Sequence, residues 1–225
     1  MGSNKGRPNE KPVRKVKVET FWIAQTEVTV EQYRKCVETK RCGTPSPVAP
    51  EHKDLLNWNL LGRSNHPVNN VNWSQAAAYC KWAAGRLPSE AEWEFAARSR
   101  GKPLDYPWGN KPADCDHAIL FDGEESGCGE NSTAPVCSKP KGNTEQGLCD
   151  MGGNVSEWVQ DQYHRNYHDA PADQTPWESA RGVNRVYRGG AFYSPGYALR
   201  TSMRNAFDPS LYNVGIGFRC AWDAP

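Results

Sequence analysis

The stretch "VNWSQAAAYCKWAAGRLPSEAEWEFAAR", Val71–Arg98, holds the densest helical signal in the chain. Ser74 is placed to cap a helix through "QAAAYCKWAA", and Gly85 is placed to close it. Ala77, Cys80 and Ala84 share one face of that helix, so Cys80 points inward. A second helix starts at once. Pro88 and Ser89, with Glu92 three residues on, form a capping box ahead of an apolar face of Trp93, Ala96 and Ala97. Upstream, "KVKVETFWIAQTEVT" (15–29) alternates and then turns apolar, which reads as a strand. Thr29 and Gln32 make another capping box, opening a helix over 30–39 with Val30, Tyr33 and Val37 on one face. Downstream, from Gly101 to about Val183, sustained periodicity disappears. Strand signal returns at "VNRVYRGGAFY" and "VGIGFRCAW". So long an irregular stretch needs a brace from crosslinks or a bound cation.

Composition narrows the function classes. The chain has 225 residues and a net charge of +1, which gives no electrostatic case for nucleic acid. Mean hydropathy is −0.80 and no apolar run approaches a membrane span, so membrane insertion is not expected. Nine Trp, nine Tyr and six Phe supply the core, while 20 Gly and 17 Pro signal irregular backbone. There is no repeat, linker or low-complexity tract, so residues 1–225 read as a single domain. The basic N-terminus lacks the apolar segment of a signal peptide.

The eight cysteines form no CxxC pair, which argues against a zinc ribbon or thioredoxin motif. Three short intervals, Cys36 to Cys42, Cys115 to Cys128 and Cys137 to Cys149, lie in polar, loop-like sequence. Structural disulfides and an extracytoplasmic location, periplasmic or secreted, are the expectation. Proximity favours pairing within each interval, although six cysteines allow 15 connectivities.

Six stretches then occur in an order that resembles the formylglycine-generating enzyme (sulfatase-modifying factor) family. They are "MGSNKGRPNEKPVRKVKVETFWIAQTEVTVEQY", the Val71–Arg98 stretch, "YPWGN", "GLCDMGGNVSEWVQD", "RVYRGGAFY" and "GIGFRCA". The resemblance implies an α+β fold of C-type-lectin-like type, with two or three helices, short antiparallel strands and much irregular structure. The family domain often follows other domains, so an upstream domain in a longer protein, of bacterial source, is expected. Family members that oxidise a sulfatase cysteine use two cysteines between "GG" and "GFRCA", which bind copper. Here Ala191–Arg219 contains no cysteine, and Ser194, Gly196 and Ala198 stand in that neighbourhood. A hydroxyl or methyl does not replace a thiolate as a soft ligand. Copper and formylglycine chemistry are therefore not expected, and enzymatic activity of another kind stays open.

The resemblance also implies a Cys80–Cys220 disulfide. It implies a structural calcium held by the side chains of Asp150 and Glu157 and the carbonyls of Gly153 and Val155, all hard oxygen donors. A second family calcium is not expected, because Cys128 falls where an acidic ligand would stand. In variable proteins of this fold, the C-terminal arm displays ligand-binding residues. Carried over to 191–213, that points to Tyr193, Ser194, Tyr197, Phe207 and Tyr212 as a surface for a protein or small-molecule ligand. Arg200, Arg204 and Arg219 read instead as structural, bridging to backbone carbonyls. The leading reading is thus a binding module. The alternative is an oxidoreductase of the same superfamily with a different metal or cofactor arrangement.

Overall fold

A computed structural model describes residues 1–179 and 184–224. Reciprocal capping boxes start all three α-helices. In α1 (Val30–Glu38) the Thr29 hydroxyl accepts from the Gln32 N–H, and the Gln32 side chain accepts from the Thr29 N–H. In α3 (Glu90–Ala97) Ser89 and Glu92 do the same. In α2 (Trp73–Trp82) the cap is Asn72, not Ser74. The reason is the partner: Gln75 lies three residues after Asn72 and closes the box, whereas Ala77 lies three after Ser74 and has nothing to offer. The helix is left through Ala84, which takes the left-handed backbone at φ 58°. Gly85 is required for another reason. A Cβ there would meet the Ala221 carbonyl and the Trp222 indole at 2.6 Å.

The strands are short. A two-stranded antiparallel sheet pairs β1 (Phe21–Ile23) with β6 (Ala221–Asp223), so one end of the chain is stitched to the other. The strand expected over 15–29 shrinks to β1, because the "KVKVE" segment before it finds only one isolated bridge, Lys17 to Asp173. A four-stranded sheet runs β4-β3-β2-β5, with β2 Ser156–Gln162, β3 Arg185–Arg188, β4 Arg204–Phe207 and β5 Ile216–Gly217. Its β2–β3 and β3–β4 pairs are antiparallel and β2–β5 is parallel.

Strand β2 is covered on both faces. Trp158 packs into a core with Tyr33, Tyr79 and Phe218 from α1, α2 and the C-terminal segment. The next side chain, Val159, points into a second core with Trp93 and Ala97 of α3. Helix α3 also carries buried acids, and two of them are met by distant arginines. Glu90 takes two bonds from Arg204 (2.6 and 2.8 Å), and Glu94 takes Arg188 (2.6 Å) and Arg98 (2.9 Å). Arg200 reaches back to Glu10 near the N-terminus. Arg200, Arg204 and Arg219 do touch backbone carbonyls, but their main partners are glutamates.

All eight cysteines are in disulfides: Cys36–Cys42, Cys80–Cys220, Cys115–Cys128 and Cys137–Cys149. Among the described residues, no helix is long and apolar enough to cross a membrane. The Cys80–Cys220 bond closes a separation of 140 residues. The chain-entropy relation gives about 5 kcal/mol for a loop of that size before strain is subtracted. Replacing both cysteines by alanine is expected to cost on the order of 2–5 kcal/mol in urea unfolding. A loss under about 1 kcal/mol would show that the bond does not hold the two halves together.

Candidate functional site

Two places carry the sequence candidates. The first is the loop before β2. Asp150 (φ 56°), Gly153 (φ 94°) and Asn154 (φ 61°) all adopt left-handed backbone, which turns the loop sharply. Only glycine fits at 153, since a Cβ would lie 2.6 Å from the Ile119 carbonyl. The Asn154 Nδ2 donates to Glu27 Oε2 (2.8 Å), and the Val155 N–H donates to Glu27 Oε1 (3.0 Å). Asp150 Oδ2 accepts the Cys137 N–H at 2.7 Å. Glu157 is wholly buried. Its Oε2 accepts from the Trp93 indole and Arg219 Nε, both at 2.8 Å, while Oε1 accepts only from Arg219 Nη2 (2.7 Å) and keeps a lone pair.

Glu27 is the residue that reading the sequence missed. Nothing in its local sequence, Gln25-Thr26-Glu27-Val28-Thr29, sets it apart from a solvated acid. Burial, then the charges of Asp150 and Glu157, push its carboxyl well above the usual carboxylate range. Burial likewise raises Asp150. Glu157 pairs directly with Arg219, and the same guanidinium charge acts at longer range on Glu27 and Asp150. Their side chains do not converge on one point: among the described residues, no three His, Cys, Asp or Glu groups form a metal cluster. A set of two carboxylates and two carbonyls has a different form. Asp150, Glu157 and the carbonyls of Gly153 and Val155 are oxygen donors only, the donor type that a hard divalent cation takes.

The second place is the C-terminal arm. Tyr193, Leu211 and Tyr212 are 41, 49 and 41% exposed, an unusual concentration of large apolar side chains on the surface. With Phe207 they line a groove of about 650 Å³, whose opposite wall is the 46–55 segment, including Val48, His52 and Leu55. Buried Asn69 ties the walls together. Its Nδ2 donates to the carbonyls of both Leu55 (2.7 Å) and Val214 (2.6 Å), and its Oδ1 accepts the Asn57 N–H (3.0 Å). Asn70 fixes the rim by a reciprocal pair of bonds with Ser46. On the arm, the Tyr193 hydroxyl donates to Asn213 Oδ1 at 2.7 Å.

Three of the five arm candidates, Tyr193, Phe207 and Tyr212, thus meet in one groove. Ser194 and Tyr197 do not join them. The Ser194 hydroxyl accepts the Ala191 N–H, and its carbonyl accepts the Phe121 N–H. A 3-10 turn at Gly196–Leu199 carries Tyr197 away, where its ring lies 5.9 Å from the Arg7 guanidinium. Leu211 and the Asn69–Asn70 pair were not singled out from sequence, because their roles depend on partners far along the chain.

Short helices, small sheets and long braced loops around two cores define an α+β domain of the C-type-lectin-like kind. The family described as "Sulfatase-modifying factor enzyme 1-like domain" matches residues 1–224, and the chain belongs to it. It is similar to the serine/threonine-protein kinase pkn1 of Chlamydia pneumoniae, at 34% identity over 98% of this chain and 36% of that protein. It is also similar to the formylglycine-generating enzyme of Mus musculus, at 38% identity over 76% of this chain and 48% of that protein. The chain therefore spans between about a third and a half of these curated relatives. Among solved structures, PvdO from Pseudomonas aeruginosa superposes with a TM-score of 0.82 at 27% identity, covering 100% of this chain and 90% of that one.

Asn69→Ala should strip the donor from two carbonyls and loosen both groove walls. The expected cost is about 1–3 kcal/mol in denaturant unfolding. A variant as stable as the parent would show that Asn69 does not hold the walls.

Proposed function

We propose that this chain is a ligand-binding domain of a longer, extracytoplasmic protein and that it does not make formylglycine. The observation that carries the reading is the groove. Exposed Tyr193, Leu211 and Tyr212 meet Phe207 on walls already fixed by Asn69 and Asn70. Preformed, largely apolar concavities of this size are the usual setting for a ligand. Against formylglycine chemistry stand the cysteine-free interval from Ala191 to Arg219 and the engagement of every thiol in a disulfide. The four disulfides accord with an oxidising compartment.

Kinship with a formylglycine-generating enzyme favours a second reading, an oxidoreductase of another arrangement. A screen of small fragments by ¹H–¹⁵N NMR separates the two. Under the first reading, hits shift the signals of Tyr193, Leu211 and Tyr212, and Tyr212→Ala removes them. Incubation with copper, oxygen and a cysteine-bearing sulfatase-type peptide yields no aldehyde. Hits that cluster away from the groove, or steady aldehyde turnover, would overturn it.

The domain also carries, in this proposal, one structural calcium at Asp150, Glu157 and the carbonyls of Gly153 and Val155. When bound, the ion supplies positive charge to the loop that Glu27 holds from the other side. Calcium at a hundredfold excess over Kd should raise stability by about 2.7 kcal/mol after full chelation. Asp150→Asn should abolish most of that rise while leaving the Glu157–Arg219 pair intact. If adding calcium to chelated protein leaves the Tm unchanged, the site does not exist.

A further inference from the structure

The groove has a property that narrows its ligand. Among the described residues no Asp, Glu, Lys or Arg side chain lines it, in a chain where 24% of residues are charged, and His52 on the 46–55 wall is its titratable side chain. An ion entering such a place gives up hydration and meets no carboxylate, ammonium or guanidinium in return, which makes its binding costly. The lining is mainly aromatic and aliphatic, with Tyr193, Phe207 and Tyr212 on one side and Val48 and Leu55 on the other, beside the polar side chains of Ser46, His52, Asn70 and Asn213. Flat ring faces at the exposed edge favour a flat partner.

The polar groups are few and mostly committed. The Tyr193 hydroxyl is spent on Asn213 Oδ1, which also accepts the Gly215 N–H at 2.7 Å. The Tyr193 ring itself fills the space a Gly215 side chain would need. The Tyr212 hydroxyl differs. It accepts from Asn72 Nδ2 at 3.3 Å, so its own proton is free to donate.

We infer that the groove selects an uncharged ligand, one that lays a flat ring against Tyr193, Phe207 and Tyr212 and offers a hydrogen-bond acceptor to the Tyr212 hydroxyl. This rests on the groove being the binding site. Because the walls are tied before the ligand arrives, little ordering is required on binding. Charge, not size, is then the discriminating property.

A matched series tests it: N-acetyltryptophanamide (neutral), N-acetyltryptophan (anion) and tryptophanamide (cation), each titrated into ¹⁵N-labelled protein with its disulfides intact. The neutral member should shift the signals of Leu55 and of Leu211–Val214, with a Kd at least tenfold below that of either ion. Tyr212→Phe should weaken it several-fold by removing the hydroxyl alone, in a variant that keeps the ring. If either ion binds the groove as tightly as the amide, the charge selection is wrong while the groove stands. If none of the three moves these signals, both the selection and the groove reading fall.

Discussion

Arg219 donates to both oxygens of Glu157 from a position without solvent, and much of the domain is built around that contact. The same guanidinium caps the carbonyls of Ala24, Gln25 and Cys149, so one side chain joins the N-terminal segment, the loop before β2 and the last strand. Trp93 adds α3 through its indole N–H. Buried ion pairs contribute little net stability, because desolvation consumes most of the attraction, but losing one partner costs about 3–5 kcal/mol. The value of such a contact lies in specification. Glu157 meets Arg219 through both oxygens and the Trp93 indole through one, which ties β2 to the C-terminal segment and to α3.

The pattern repeats along α3. Glu90 and Glu94, one turn apart, meet Arg204 and Arg188 from neighbouring strands. A helix of eight residues thereby gains fixed partners on two strands. Where neither sheet nor helix is available, disulfides do the bracing. Cys115–Cys128 and Cys137–Cys149 pin the loops between α3 and β2. The groove depends on the same economy, with Asn69 and Asn70 standing in for a ladder of backbone bonds between its walls.

How much of this is legible in the sequence follows from how local each cause is. The helix starts at Thr29 and Ser89 are written within four residues, and they are where the chain places them. Asn72 was legible too, had the position of Gln75 been weighed. Strand β2, "SEWVQDQ", hides itself. It is buried on both faces and holds Glu157 and Asp161, acids whose burial makes sense only beside Arg219 and the Glu90 N–H, 62 and 71 residues away. The fold type came from six motifs in order, not from periodicity. In the arm, composition marked a stretch from which Tyr193, Phe207 and Tyr212 line the groove. It gave no means of knowing that the turn at Gly196–Leu199 would send Tyr197 elsewhere, or that Leu211 would join the groove.

The distribution of partners along the chain has a consequence for biosynthesis. Glu10, Glu90, Glu94 and Glu157 find their arginines at 200, 204, 188 and 219, and Cys80 finds its thiol at 220. A nascent chain emerging N-terminus first carries every one of these acids before it carries a single one of those counter-ions. Contacts of such high sequence separation form slowly and leave apolar surface uncovered meanwhile. Chains cut short before the last forty or so residues lack all four of these arginines and leave Cys80 without Cys220.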